Sequence, residues 1–157
     1  MIKLKGIAAA GGIAIGPAYK IGKEEFVIPK DAIREEEIAV QIQFFEEALI
    51  KTRREIIELQ KRIASDMGQE EAEIFDAHLL VLEDRMLIEE VISRLKKERL
   101  NVVYIFSEVL KKYIEVFSKI EDEYLKERIS DINDVGKRIL RNLLGKERRG
   151  LENIKEK

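Results

Sequence analysis

His78 is the chain's single imidazole, set in the run IFDAHLLVLED, and its possible chemistry comes first. One histidine excludes multi-histidine metal centres. A di-iron site in a helical bundle would need Glu three residues before each histidine, where this chain has Phe75. With no cysteine, disulfide frameworks, thiol catalysis and cysteine-ligated zinc are excluded as well. A phospho-accepting histidine on a helix face is chemically possible, but no supporting constellation accompanies this one. The plainer expectation is a histidine at the edge of an apolar stripe, satisfied by a neighbouring carboxylate or carbonyl.

Glu70, Glu71, Glu73 and Asp76 gather at the start of the same stretch. Carboxylates near a helix N-terminus are favoured by the macrodipole, so capping alone accounts for them. Read functionally, they are a negative landing patch for a basic partner. Leu79-Leu80-Val81-Leu82 covers the whole circumference of its helix, so these four cannot all face a core. With Met86 and Leu87 they leave an apolar belt beside the acids, the make-up of a protein-docking surface. The opening GIAAAGGIAIG is glycine-rich, but it has no GxGxxG, no Lys-Ser/Thr ending and no helix after it. It makes a poor phosphate loop.

The elements that must position these residues follow from periodicity. Ile38, Ile42, Phe45, Leu49, Thr52, Ile56, Leu59 and Ile63 alternate steps of four and three, a sustained 3.5-residue seam. One long helix is expected from about Asp31, as N-cap, to Asp66, with Gly68 as its stop. A shorter helix carries Ala72, Phe75, Leu79 and Leu82; Glu83-Asp84 resets the phase, and Leu87, Val91 and Leu95 continue on another. Asn101 caps a third long helix with Val103, Phe106, Leu110, Tyr113, Phe117 and Ile120 inward. A fourth presents Ile129, Ile132, Gly136, Ile139 and Leu143 and ends at Gly145. Each has one apolar stripe, so the expected fold is mainly α: a four-helix bundle with a broken second helix. Ahead of it, residues 1–28 read as a short N-terminal β segment, and residues 146–157 as a charged tail without periodicity.

At 157 residues the chain fits one domain with a core of its own. Its 29 basic and 31 acidic side chains leave a net charge of −2, which argues against a basic nucleic-acid surface. No run reaches the ~18 apolar residues of a membrane span. Lys3 and Lys5 before an apolar stretch imitate a secretory signal, but four glycines and Pro17 suit a strand or loop better. The expected location is the cytoplasm.

The opening GIAAAGGIAIGPA, the central IFDAHLLVLED and the late DEYLKERISDINDVGKRILRNLLG occur in that order over residues 1 to about 145. Together they resemble the N-terminal part of enzyme I of the bacterial phosphoenolpyruvate:sugar phosphotransferase system. That resemblance implies an all-helical domain of four helices, the second broken, that binds the small phosphocarrier HPr. It also makes residues 1 to about 20 the first strand of an α/β domain into which the bundle is inserted. Three parts are thus expected: 1–28 from the α/β domain, 29–145 as the HPr-binding domain, and 146–157 as linker or tail. The family's phosphorylated histidine lies in a Gly-Gly-x-x-Ser-His segment beyond the last motif, and no such segment occurs in this sequence. The barrel that binds phosphoenolpyruvate and magnesium is absent too. The resemblance therefore implies a fragment that docks but does not catalyse. It would hold no catalytic residue, cofactor or metal; magnesium is implied only for the full-length family.

By position, the resemblance places Gln69, Glu70, Glu73, Ile74, His78, Leu80, Val81, Asp84, Met86, Leu87, Leu125 and Arg128 along the docking groove. The acids would steer the carrier, the apolar residues would supply buried contact, and Arg128 would reach the rim where phosphate is exchanged. Two departures stand out. Ala10-Gly11 replaces the family's usual Ser-Pro and loosens the first strand's turn. Arg85-Met86 replaces proline or an acid followed by an acid, making the patch less acidic and more apolar. The alternatives are a structural bundle or coiled-coil dimerisation domain, which the 3.5-residue seams suit equally, and a histidine-phosphotransfer bundle using His78. Self-association through the N-terminal segment is a further expectation, because an exposed apolar strand edge invites pairing.

Overall fold

In the computed structural model, residues 3–7, 11–13, 15–16, 25–119, 121 and 123–146 are described, 123–127 by their backbone alone. The expected helices form, except that the single helix expected to carry Ala72 through Leu82 is divided at Glu73. They are α1 (Ile38–Asp66), α2 (Gln69–Ala72), α3 (Ile74–Leu82), α4 (Arg85–Glu98), α5 (Val102–Ser118) and α6 (Glu123–Leu143). The α2–α4 series is the broken second arm of the bundle. α5 packs on α4 and α6, α6 also on α1 and α3, and α1 also on α2 and α3.

The breaks have local causes. α1 ends where the Met67 and Gly68 amides both donate to the Ile63 carbonyl, at 2.8 and 3.2 Å. Gly68 supplies the φ of +132° that this reversal needs. The second arm breaks again at Asp84, whose extended backbone cannot continue α3 and whose carboxylate caps α4. Asn101 caps α5 as expected, its Oδ1 accepting the Tyr104 amide at 2.8 Å. The Gln41 side chain accepts the Val102 amide at 2.9 Å.

The start of α1 differs from expectation. Asp31 does not cap it. Its carbonyl accepts the Asn101 amide at 2.8 Å and its carboxylate the Asn101 Nδ2 at 3.2 Å. The stretch up to Ile33 instead runs extended beside the α4–α5 turn, with an isolated bridge between Ala32 and Leu100. A 3₁₀ turn over Glu35–Glu37 then leads into α1, and the Arg34 amide donates to the Glu37 carboxylate at 2.8 Å. The strap is recruited by a residue some seventy positions away, so local capping signals do not reveal it.

The core is continuous through the bundle. Phe45 meets Phe106 with ring centroids 5.7 Å apart. Ile56, Val91, Leu95, Ile105, Val109, Val135 and Ile139 are fully buried around them. The middle of the α1 seam faces into the molecule: Phe45, Thr52 and Ile56 are buried, as is neighbouring Ala48, while Ile38, Ile42, Leu49, Leu59 and Ile63 are half-buried. Gly136 lets α6 lie directly against the Leu110 side chain of α5. A Cβ at that position would press on both Cδ atoms of Leu110, with Cγ only 3.0 Å away.

The expected N-terminal β segment does not form among the described residues. Leu4, Ile7, Ile13 and Ile15 are fully exposed, and a strand needs a neighbour to accept its backbone hydrogen bonds. Phe26 and Ile28 are different, because both pack against the bundle core. The remainder of residues 1–24, Ile120 and the tail beyond Lys146 lie outside the described residues. Among the described residues, no helix is long and apolar enough to cross a membrane.

Candidate docking surface

The acids and the apolar belt come together on the broken arm. Gln69, Glu70, Glu71 and Glu73 are exposed on α2 and at its junction with α3. Asp76 is exposed on α3, where its Oδ1 accepts Gln60 Nε2 of α1 at 2.8 Å. Among them stand three apolar side chains that a buried core would normally claim: Ile74, Leu80 and Met86 are 56%, 58% and 75% exposed. The run Leu79-Leu80-Val81-Leu82 divides as expected. Leu80 points outward, Val81 and Leu82 are buried, and Leu79 is half-buried. Asp84 is exposed but occupied, its Oδ1 accepting the amides of Met86 at 2.9 Å and Leu87 at 3.1 Å.

Three of the twelve expected residues do not face solvent. Val81 and Leu87 belong to the core cluster, Leu87 being only 3% exposed. Leu87 lies in the first turn of α4, on the stripe shared with Val91 and Leu95, and that stripe faces inward. Sequence adjacency to Met86 put it in the belt; helical geometry turns it by about 100° into the core. His78 is likewise buried, at 6%, rather than at an exposed edge. Its Nε2 lies 3.2 Å from Asp131 Oδ1 on α6, and the Phe75 ring stands edge-on with centroids 5.5 Å apart. Its Nδ1 is buried with no hydrogen-bond partner. The nitrogen chemistry of His78 is thus enclosed, which disfavours a phospho-accepting role. Arg128 is half-buried on α6; Leu125 is also in α6, its side chain outside the described residues.

Three supporting residues had no signal in the sequence. Asp131 holds His78, Gln60 holds Asp76, and Arg53 of α1 forms an ion pair with Glu83 at the end of α3. Each partnership joins residues distant in sequence and unrelated by helical spacing. Among the described residues, no group of three or more His, Asp or Glu converges as metal ligands would. A cleft of about 440 Å³ lies elsewhere, between α1 and α6. It is lined by both signs of charge, Lys51, Glu55, Glu58, Arg62, Arg138 and Arg141 among them, and none of the twelve residues expected to dock lines it.

The comparisons with known proteins agree with this architecture. A family model described as "PEP-utilising enzyme, N-terminal" matches residues 5–128. Phosphoenolpyruvate-protein phosphotransferase of Priestia megaterium is 37% identical over 143 residues, covering 91% of this chain and 25% of that protein. The protein of the same name from Bacillus subtilis (strain 168) is 35% identical over 147 residues, covering 94% and 25%. An NMR solution structure of Enzyme I superposes with a TM-score of 0.72 at 38% identity, over 78% of this chain and 49% of that one. The chain spans about a quarter of the length of the curated relatives it matches. It belongs to the family of PEP-utilising enzyme N-terminal domains, within which it resembles the N-terminal part of enzyme I.

Proposed function

We propose that the helical bundle is the HPr-docking module of a phosphoenolpyruvate-protein phosphotransferase. The parent protein would pass phosphate from phosphoenolpyruvate through a histidine to HPr, in the cytoplasm, to serve sugar uptake. The observation that carries this is the exposed trio Ile74, Leu80 and Met86 set among Glu70, Glu73 and Asp76. Apolar side chains left in water, beside acids that attract a basic partner, combine contact area with steering. The working surface is Gln69, Glu70, Glu73, Ile74, Leu80, Asp84 and Met86, with Leu125 and Arg128 of α6 at its rim. By this proposal the bundle binds but does not catalyse, since its only histidine is enclosed.

An NMR titration of the ¹⁵N-labelled chain with unlabelled HPr tests the proposal. Amide shifts are expected to concentrate between Gln69 and Leu87 and around Arg128. Absence of binding, or shifts confined to the α1–α6 cleft, would refute it. Phosphate from phosphoenolpyruvate appearing on His78 of the isolated chain would overturn the non-catalytic part.

A further inference from the structure

α3 has nine residues and α2 four, too few to be stable as helices without tertiary support. Its C-terminal half is held by Val81 and Leu82 in the core and by the Glu83–Arg53 ion pair. Its N-terminal half carries Ile74 and follows directly from Glu70 and Glu73, so it presents much of the proposed docking surface. That half is tied to α1 by the exposed Asp76–Gln60 hydrogen bond and to α6 by His78 and Asp131. The His78–Asp131 tie is the enclosed one, with side chains 8% and 19% exposed. Shielded from competing water, it is the tie whose loss is felt most.

We infer that His78 serves docking as a positioning residue and not as a contact, with Asp131 as the group that holds it. Imidazole Nε2–H donates to the carboxylate and sets the rotation and tilt of the start of α3. Asp131 lies one turn beyond Arg128 on α6, on the same helix face, so one tie aligns the acid-flanked start of α3 with the rim of the site. Asp131 thereby enters the docking machinery without touching the partner. This rests on the docking function proposed above.

The test uses the full chain with Asp131→Ala, His78→Ala, the double variant, the conservative Asp131→Asn and His78→Gln, and a control. The control is Ile105→Ala, a fully buried truncation at the far end of the bundle, near the Val102–Gln41 contact. HPr affinity is measured well below each variant's melting temperature. Each alanine at the tie should weaken binding by roughly 3- to 30-fold, and the double variant no more than the worse single. Asparagine and glutamine, which restore an acceptor and a donor, should recover most of the loss. Ile105→Ala should lower the melting temperature at least as far and leave affinity unchanged. Wild-type affinity in Asp131→Ala, or an equal affinity loss in Ile105→Ala, overturns the inference.

Without HPr, the amide shifts of Glu70 to Leu82 read the tie directly. They should move in Asp131→Ala and return in Asp131→Asn. If they stay put in both, the inference fails whatever HPr does; if they move but wild type does not bind HPr, the docking function fails instead. Should either alanine unfold the chain, His78→Phe keeps the ring volume without the donor and is read the same way.

Discussion

Replacing Gly136 with alanine perturbs a close contact between α6 and the Leu110 side chain of α5. The added methyl would lie against both Cδ atoms of Leu110, with Cγ 3.0 Å away, and Leu110 is itself buried in the core. Overpacking of this kind costs about 1–3 kcal/mol. Exchanging glycine for alanine inside a helix returns about 1 kcal/mol. The net expectation is a destabilisation of about 1 kcal/mol, or roughly 2–4 °C in Tm for a chain of this size. Leu110→Ala alone should cost about 2–5 kcal/mol, because it opens a cavity. In the double variant the clash is gone and the new methyl occupies part of that cavity. There, Gly136→Ala should change sign and stabilise by about 1 kcal/mol, for the helix preference then acts unopposed. Urea unfolding of the four proteins, with unchanged m-values, measures the coupling. Additivity to within about 0.5 kcal/mol would show that the two residues do not meet, and the close α5–α6 crossing would be refuted.

Leu80→Ala and Leu87→Ala should separate cleanly: the exposed Leu80 should change stability by less than about 0.5 kcal/mol while weakening HPr binding. The buried Leu87 should lose about 2–5 kcal/mol in urea unfolding, and equal stabilities would contradict their assigned burial. Glu70→Gln with Glu73→Gln should mainly slow association with HPr and flatten its salt dependence in stopped-flow measurements, with little change in dissociation. Glu37 accepts the Arg34 amide and lies beside its guanidinium, which holds its carboxyl below the ordinary 4.5. A lowered pKa in the folded state means the stability it contributes is present above that ordinary value and lost as pH falls through the lowered one. Glu37→Gln should remove that part of the acid sensitivity in unfolding scans, and an unchanged pH profile would show that the Arg34–Glu37 contact contributes nothing.

Sequence by itself determined the helical stretches and most of their ends, the start of α1 excepted, because those depend on neighbours within a turn or two. The alternating steps of the α1 seam, the stop at Gly68, the break at Glu83-Asp84 and the Asn101 cap were all legible. Motif order made the family legible as well, and the acids beside an overfull apolar run marked the arm proposed to dock. Tertiary structure decided whatever depends on which faces meet. It recruited Asp31 to Asn101 instead of to α1, and it left Met86 in water beside the Leu87–Val91–Leu95 stripe that periodicity had already marked as apolar. It enclosed His78 and supplied Asp131 from 53 positions away. The N-terminal stretch shows the same division: its apolar pattern suits a strand, yet among the described residues none forms. A periodic pattern specifies which face of an element is apolar, but only the assembled bundle specifies what that face is buried against.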